Sequence, residues 1–73
     1  MYYYQTKVGV FQIVERSGKW QIIFEDENLG NYLTPHQAAD DLAGGHTFSP
    51  GRNIDTSTLE ISADISEWQK GRL

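Results

Sequence analysis

A helix signalled at both ends sets the frame for this chain. Thr34 is a good N-cap, because its hydroxyl can accept a bond from one of the first unpaired N–H groups of a helix. Pro35 then falls at the first helical position, where its missing N–H costs nothing and its φ is already helical. Gln37, three residues after Thr34, completes a capping box, and Leu33 with Ala38 forms a hydrophobic staple. Within the helix Ala38, Ala39 and Leu42 share one face, while His36, Asp40 and Asp41 lie away from it. Gly44 and Gly45 supply a left-handed C-cap. A helix this short is not stable alone, so a sheet must hold it.

With 73 residues and no Cys, the chain reads as a single domain, 1–73, with a thin core and no disulfide to reinforce it. Lack of Cys is most natural in a reducing compartment. No apolar run approaches the ~20 residues of a membrane span, and no basic region precedes an apolar one at the start. These features predict a cytoplasmic protein with no membrane contact. The formal charge is −4, and between Trp20 and Gly51 there is no Lys or Arg, while Glu25, Asp26, Glu27, Asp40 and Asp41 fall there. An acidic middle repels phosphate backbones, which makes nucleic acid an unlikely partner.

Before the helix the chain reads as strands. The run Tyr2-Tyr3-Tyr4 has strand character, and Gly9 marks a bulge or bend before the β-branched stretch from Val8 to Glu15. Phe11 and Ile13 alternate with Val10, Gln12 and Val14. Arg16-Ser17-Gly18-Lys19 is a turn, and Trp20 to Glu25 returns as a hairpin strand. Trp20, Ile22 and Phe24 are expected to face the helix with Phe11 and Ile13. Asp26-Glu27-Asn28 turns again, and Leu29 to Leu33 forms a third strand that leads to Thr34. The fold class is α+β: a three-stranded antiparallel β-meander packed on one α-helix.

The remainder closes the domain. His46 to Asn53 is turn-forming around Pro50-Gly51, with Phe48 expected to plug the end of the core. Leu59 and Ile61 alternate as in a short strand or extended edge. Asp64 to Glu67 repeats the capping pattern, and Ile61, Ile65 and Trp68 recur at helical spacing, so a short turn or helix should bring Trp68 back onto the domain. Gln69 to Leu73 is expected to fray.

Few residues suggest chemistry. His36 and Asp40 stand one helical turn apart near Asp41 and His46, but a metal site needs three or four placed ligands, and no metal is expected. Gly44-Gly45-His46-Thr47 with Arg52 follows a helix, whose C-terminal end carries negative partial charge and does not invite an anion. Without Cys a nucleophile would be Ser or Thr, and each Ser has a turn or capping explanation. No catalytic residue and no cofactor are therefore expected. The aromatics exceed what so small a core hides. Tyr2, Tyr4 and Tyr32, with the acidic helix face of His36, Asp40 and Asp41, form the candidate interaction surface. Rings lying flat on an edge strand would leave the same pattern. The tyrosine strand could also pair with its copy in a homodimer through a sheet edge.

Two resemblances extend this reading. Gly18-Lys19-Trp20 through Leu29-Gly30-Asn31-Tyr32-Leu33-Thr34-Pro35-His36-Gln37-Ala38-Ala39 resembles the outline of AP2-type DNA-binding domains over roughly residues 8–43. That resemblance implies DNA reading by basic strand residues, where this chain has Glu25, Asp26 and Glu27 and only Lys7, Arg16 and Lys19 nearby. The pattern Leu29-Gly30-x-Tyr32, Thr34-Pro35, Gln37-Ala38-Ala39-Asp40-Asp41-Leu42 and Gly44-Gly45-His46-Thr47 with Trp68 resembles small, stand-alone, uncharacterised bacterial proteins across most of the chain. It implies a bacterial cytoplasmic protein and no particular chemistry. The expected function is a non-catalytic protein-interaction module, its partner an unidentified protein or itself, with AP2-like nucleic-acid binding as the alternative.

Overall fold

The computed structural model describes residues 1–47 and 54–71. Its sheet has five antiparallel strands: β1 (Tyr2–Thr6), β2 (Gly9–Arg16), β3 (Lys19–Phe24), β4 (Glu27–Tyr32) and β5 (Gln69–Lys70), in the order β4-β3-β2-β1-β5. One helix, α1 (Pro35–Gly44), packs on one face. The α+β class holds. The meander has four long strands where three were expected, because the tyrosine run is a strand in its own right, joined to β2 by the turn at Lys7-Val8.

Strand formation follows from alternation and turn chemistry. Ser17 and Gly18 both have positive φ, 53° and 78°, which is the twist a two-residue hairpin loop requires between paired Arg16 and Lys19. Glu25 and Asp26 make a second such turn, at φ 49° and 67°, so the third turn falls one residue earlier than expected and β4 begins at Glu27. Between β3 and β4 the register shifts: Ile22 pairs with Gly30 and Ile23 with Asn28, leaving Leu29 as the extra residue of a bulge. Leu29 is 1% exposed and enters the core. A Cβ on Gly30 would sit 2.9 Å from Cε2 of Tyr32, so only glycine lets that ring lie across the strand.

The helix begins and ends where its caps say. Thr34 Oγ1 accepts from the Gln37 amide at 3.2 Å. At the other end the Gly45 amide donates to the Leu42 carbonyl at 3.2 Å and the His46 amide to the Asp41 carbonyl at 2.9 Å, with Gly45 at φ 76°. Leu33 departs from expectation: it is 67% exposed and points to solvent instead of stapling Ala38.

Between sheet and helix lie Phe11, Ile13, Ile22, Phe24, Leu29, Ala38, Ala39 and Leu42, none more than 1% exposed. The Phe11 and Phe24 rings stack with centroids 4.3 Å apart. The small alanine face lets the helix approach closely, as expected from its pattern.

The C-terminal segment completes the same core. Its elements are two 3-10 turns, Thr56–Thr58 and Ile65–Glu67, each capped by the preceding aspartate. Leu59 and Ile61 are buried but not in a strand; their alternation serves an irregular segment between the two turns. Thr56 is buried and satisfies its hydroxyl on the Leu42 carbonyl at 2.7 Å, tying the segment to the helix end. Gln69 and Lys70 do not fray; they pair with Tyr3 and Tyr2 as β5, and the Gly71 amide donates to the Met1 carbonyl at 2.8 Å. Phe48, the Pro50-Gly51 turn and Arg52 lie outside the described residues, as does Leu73.

Candidate functional site

Strand register sorts the residues of the sheet between two faces. Tyr2 pairs with Ile13 and Tyr4 with Phe11, so both rings lie on the core side. Tyr2 is half-buried against Trp20, with centroids 6.0 Å apart, and Tyr4 against Trp68 at 5.2 Å. The Tyr4 hydroxyl reaches the Glu60 carbonyl at 3.4 Å. The two tyrosines expected to stand clear of the domain are instead the rim of its core. Tyr3, paired with Gln12, is the ring that faces outward.

Tyr32 and Asp41 form a unit. The Tyr32 phenol donates to the Asp41 carboxylate, and its pKa is pushed up to about 12, first by burial, then by that bond and by the negative charge beside it. Asp41 is accordingly half-buried rather than part of a solvated helix face, whereas His36 and Asp40 are exposed. The fold therefore does not gather the six expected residues. Tyr2 and Tyr4 lie under β1, Tyr32 and Asp41 bridge β4 to α1, and His36 and Asp40 face solvent.

The neutral Tyr32 phenol is the form the folded state favours. Its contribution to stability is present below about pH 10 and lost as pH rises from there toward 12. Urea midpoints measured across that range should fall less steeply for Tyr32→Phe than for the parent chain. An identical pH slope in the two proteins would contradict this assignment.

Other polar groups have structural partners. Asp55 accepts from the Ser57 hydroxyl and amide at 2.6 and 3.0 Å, and Asp64 likewise from Ser66 at 2.7 and 3.0 Å. These bonds hold both carboxyls below their ordinary pKa, with a small further contribution from His36 beside Asp64. Among the described residues no three His, Cys, Asp or Glu come together as metal ligands. Open grooves exist, one of about 410 Å³ between Tyr4–Lys7 and Thr58–Glu60 and one of about 260 Å³ between Leu29–Tyr32 and His46–Thr47.

The face of the sheet turned away from the helix is the feature that sequence reasoning missed. One row across it is Gln69, Tyr3, Gln12, Ile23 and Asn28; the next is Val14, Gln21 and Asn31; a third is Gln5 with Val10. None of these side chains is charged, in a chain that is 22% charged. The charges stand at the two ends of the strands. Arg16 and Lys19 pair at the β2–β3 turn, and Glu25, Asp26 and Glu27 occupy the β3–β4 turn at the opposite end, with Lys7 in the neighbouring turn. Val14 lies outside the core cluster yet is only 8% exposed. The buried residues of α1 and Ile65 of the second 3-10 turn belong to the core cluster on the other side, and Thr56 of the first turn is tied to the Leu42 carbonyl of α1. Period-two alternation hinted at this face in β2, but its membership depends on the register of five strands.

Both edges of the sheet are blunted. On β4 the bulge at Leu29 twists the strand beside Glu27, and on the other side β5 is two residues long and carries Lys70. No helix of the described residues is long and apolar enough to cross a membrane. No family model, no curated protein and no solved structure matches the chain.

Proposed function

We propose that this protein is a cytoplasmic, non-catalytic interaction module that engages a protein partner through the outer face of its sheet. The observation that carries the reading is the absence of charge from the middle of that face, where Tyr3, Gln12, Val14, Gln21 and Ile23 are adjacent and no described element packs, the Arg16–Lys19 pair standing at its end. Interface centres are depleted in charged residues and favour aromatic and adaptable polar groups, while charge belongs at the rim. Arg16 and Lys19 at one end and the acidic turn at the other fit that rim. A DNA-reading sheet in the AP2 manner would need cations across the face, and Arg16 and Lys19 are confined to one end of it.

The test is a pull-down with the tagged full chain, with and without nuclease, using the parent protein, Ile23→Lys and Asp40→Lys. A protein retained after nuclease, lost with Ile23→Lys and kept with Asp40→Lys is the expected result. Loss of all captured material on nuclease treatment overturns the reading. Capture lost with Asp40→Lys but not Ile23→Lys moves the interface to the helix face.

A further inference from the structure

We infer that the outer face of the sheet binds a second copy of this chain, the two sheets packing face to face about a two-fold axis that runs across the strands. The inference rests on the interaction-module reading and names the partner.

Three properties of the face support it. First, its polar groups are amides. Gln12 and Gln21 occupy its centre, and a carboxamide both donates and accepts, so two identical amides can satisfy one another across a two-fold axis. A face carrying like charges cannot do this. Second, it is the one described face on which two copies can meet without bringing acidic groups together. The helix side presents Asp40, Asp64, Glu60 and Glu67, and the whole chain carries −4. Third, the charges at its ends are complementary under one orientation only. An axis across the strands reverses their direction in the partner, so Lys19 of one copy meets the β3–β4 turn with Asp26 of the other, and the reverse contact follows by symmetry. An axis along the strands would keep the Arg16 and Lys19 ends of both copies on the same side.

Size sets the expected strength. Five strands at ~4.8 Å spacing and about five residues at ~3.4 Å make a face roughly 20 Å by 17 Å. A pair of such faces buries on the order of 1,000 Å² in total, the lower limit for a specific interface. Aligned packing of two twisted sheets is the geometry of β-sandwiches. The dimer is therefore expected to be weak and concentration-dependent, with a Kd of roughly 10–100 μM.

Sedimentation equilibrium of the full chain should show the mass rising from 8.3 kDa toward twice that value as concentration passes through this range. Ile23→Lys should abolish the rise, and the milder Gln12→Glu should raise the apparent Kd at least about tenfold. Both substitutions are on the outer face, so an unchanged thermal midpoint verifies that each protein is folded. The decisive arm is a charge exchange. Arg16→Glu/Lys19→Glu alone and Asp26→Lys/Glu27→Lys alone should each be monomeric, and their equimolar mixture should recover the dimer. A parent chain that stays at 8.3 kDa at about 1 mM, or a mixture that fails to associate when the parent does, overturns the proposal. A monomeric parent that still captures another protein in an Ile23-dependent way sinks only the self-association. A monomeric parent with no such capture sinks the module reading as well.

Discussion

Phe24→Ala is expected to leave the protein largely unfolded in water at room temperature. Phe24 is 1% exposed, stacks on Phe11 at 4.3 Å and covers Gly9, where a Cβ would lie 3.1 Å from its ring. Truncating a buried Phe costs about 3–5 kcal/mol, part transfer free energy and part the cavity left behind. A domain of this size without disulfides has net stability of about 3–5 kcal/mol, so loss and reserve are of equal size. Neighbours cannot collapse into the gap, because Ile22 and Phe11 are held by strand pairing on both sides. Collapsed NMR dispersion and loss of a cooperative thermal transition are the expected readouts. A Phe24→Ala protein whose midpoint moves by only a few degrees would show that the ring stack contributes little.

Trp68→Ala is expected to be nearly as severe, although Trp68 lies five residues from the last residue of the sequence. Its ring is 5% exposed, packs on Tyr4 at 5.2 Å, and its indole Nε1 donates to the Ser62 carbonyl at 2.9 Å. That bond folds the segment back on itself, and the following two residues become β5. Without the indole the second 3-10 turn loses its anchor, β1 loses its outer partner, and Tyr4 loses its cover. The expected cost is about 3–5 kcal/mol, read as a fall in the urea midpoint. Trp68→Phe should recover part of it, keeping ring burial but not the hydrogen bond. If Trp68→Ala unfolds within about 1 kcal/mol of the parent, the segment is an appendage and the meander with its helix folds without it.

The outer face has the same dependence on distant residues. Tyr3 reaches it because β1 pairs with β2 in the register that opposes Tyr4 to Phe11, and a one-residue slip would exchange Tyr3 for Tyr2 and Tyr4. The tyrosine run contains no cue to that choice, since three identical side chains fit either face. Hence Tyr2 and Tyr4 were expected outside, and the structure puts them on the core rim. Asp41 is similar. Its helical position places it beside Asp40, and only the approach of β4 brings Tyr32 to it.

Features that depend on residues within about four positions are legible in the order of residues: the helix with its Thr34 and Gly45 caps, the hairpin turn at Ser17-Gly18, and the inward set Phe11, Ile13, Ile22 and Phe24. Capping, turn twist and alternation act over that distance and leave a signature in the order of residues. The strand order, the pairing of a two-residue β5 with β1, the Leu29 bulge, and the assembly of uncharged residues from five strands into the middle of one face arise only when the chain packs. Those features follow from contacts between segments up to 68 positions apart, as Tyr2 and Lys70 are, where packing against a shared core selects one register among several that the local sequence permits equally.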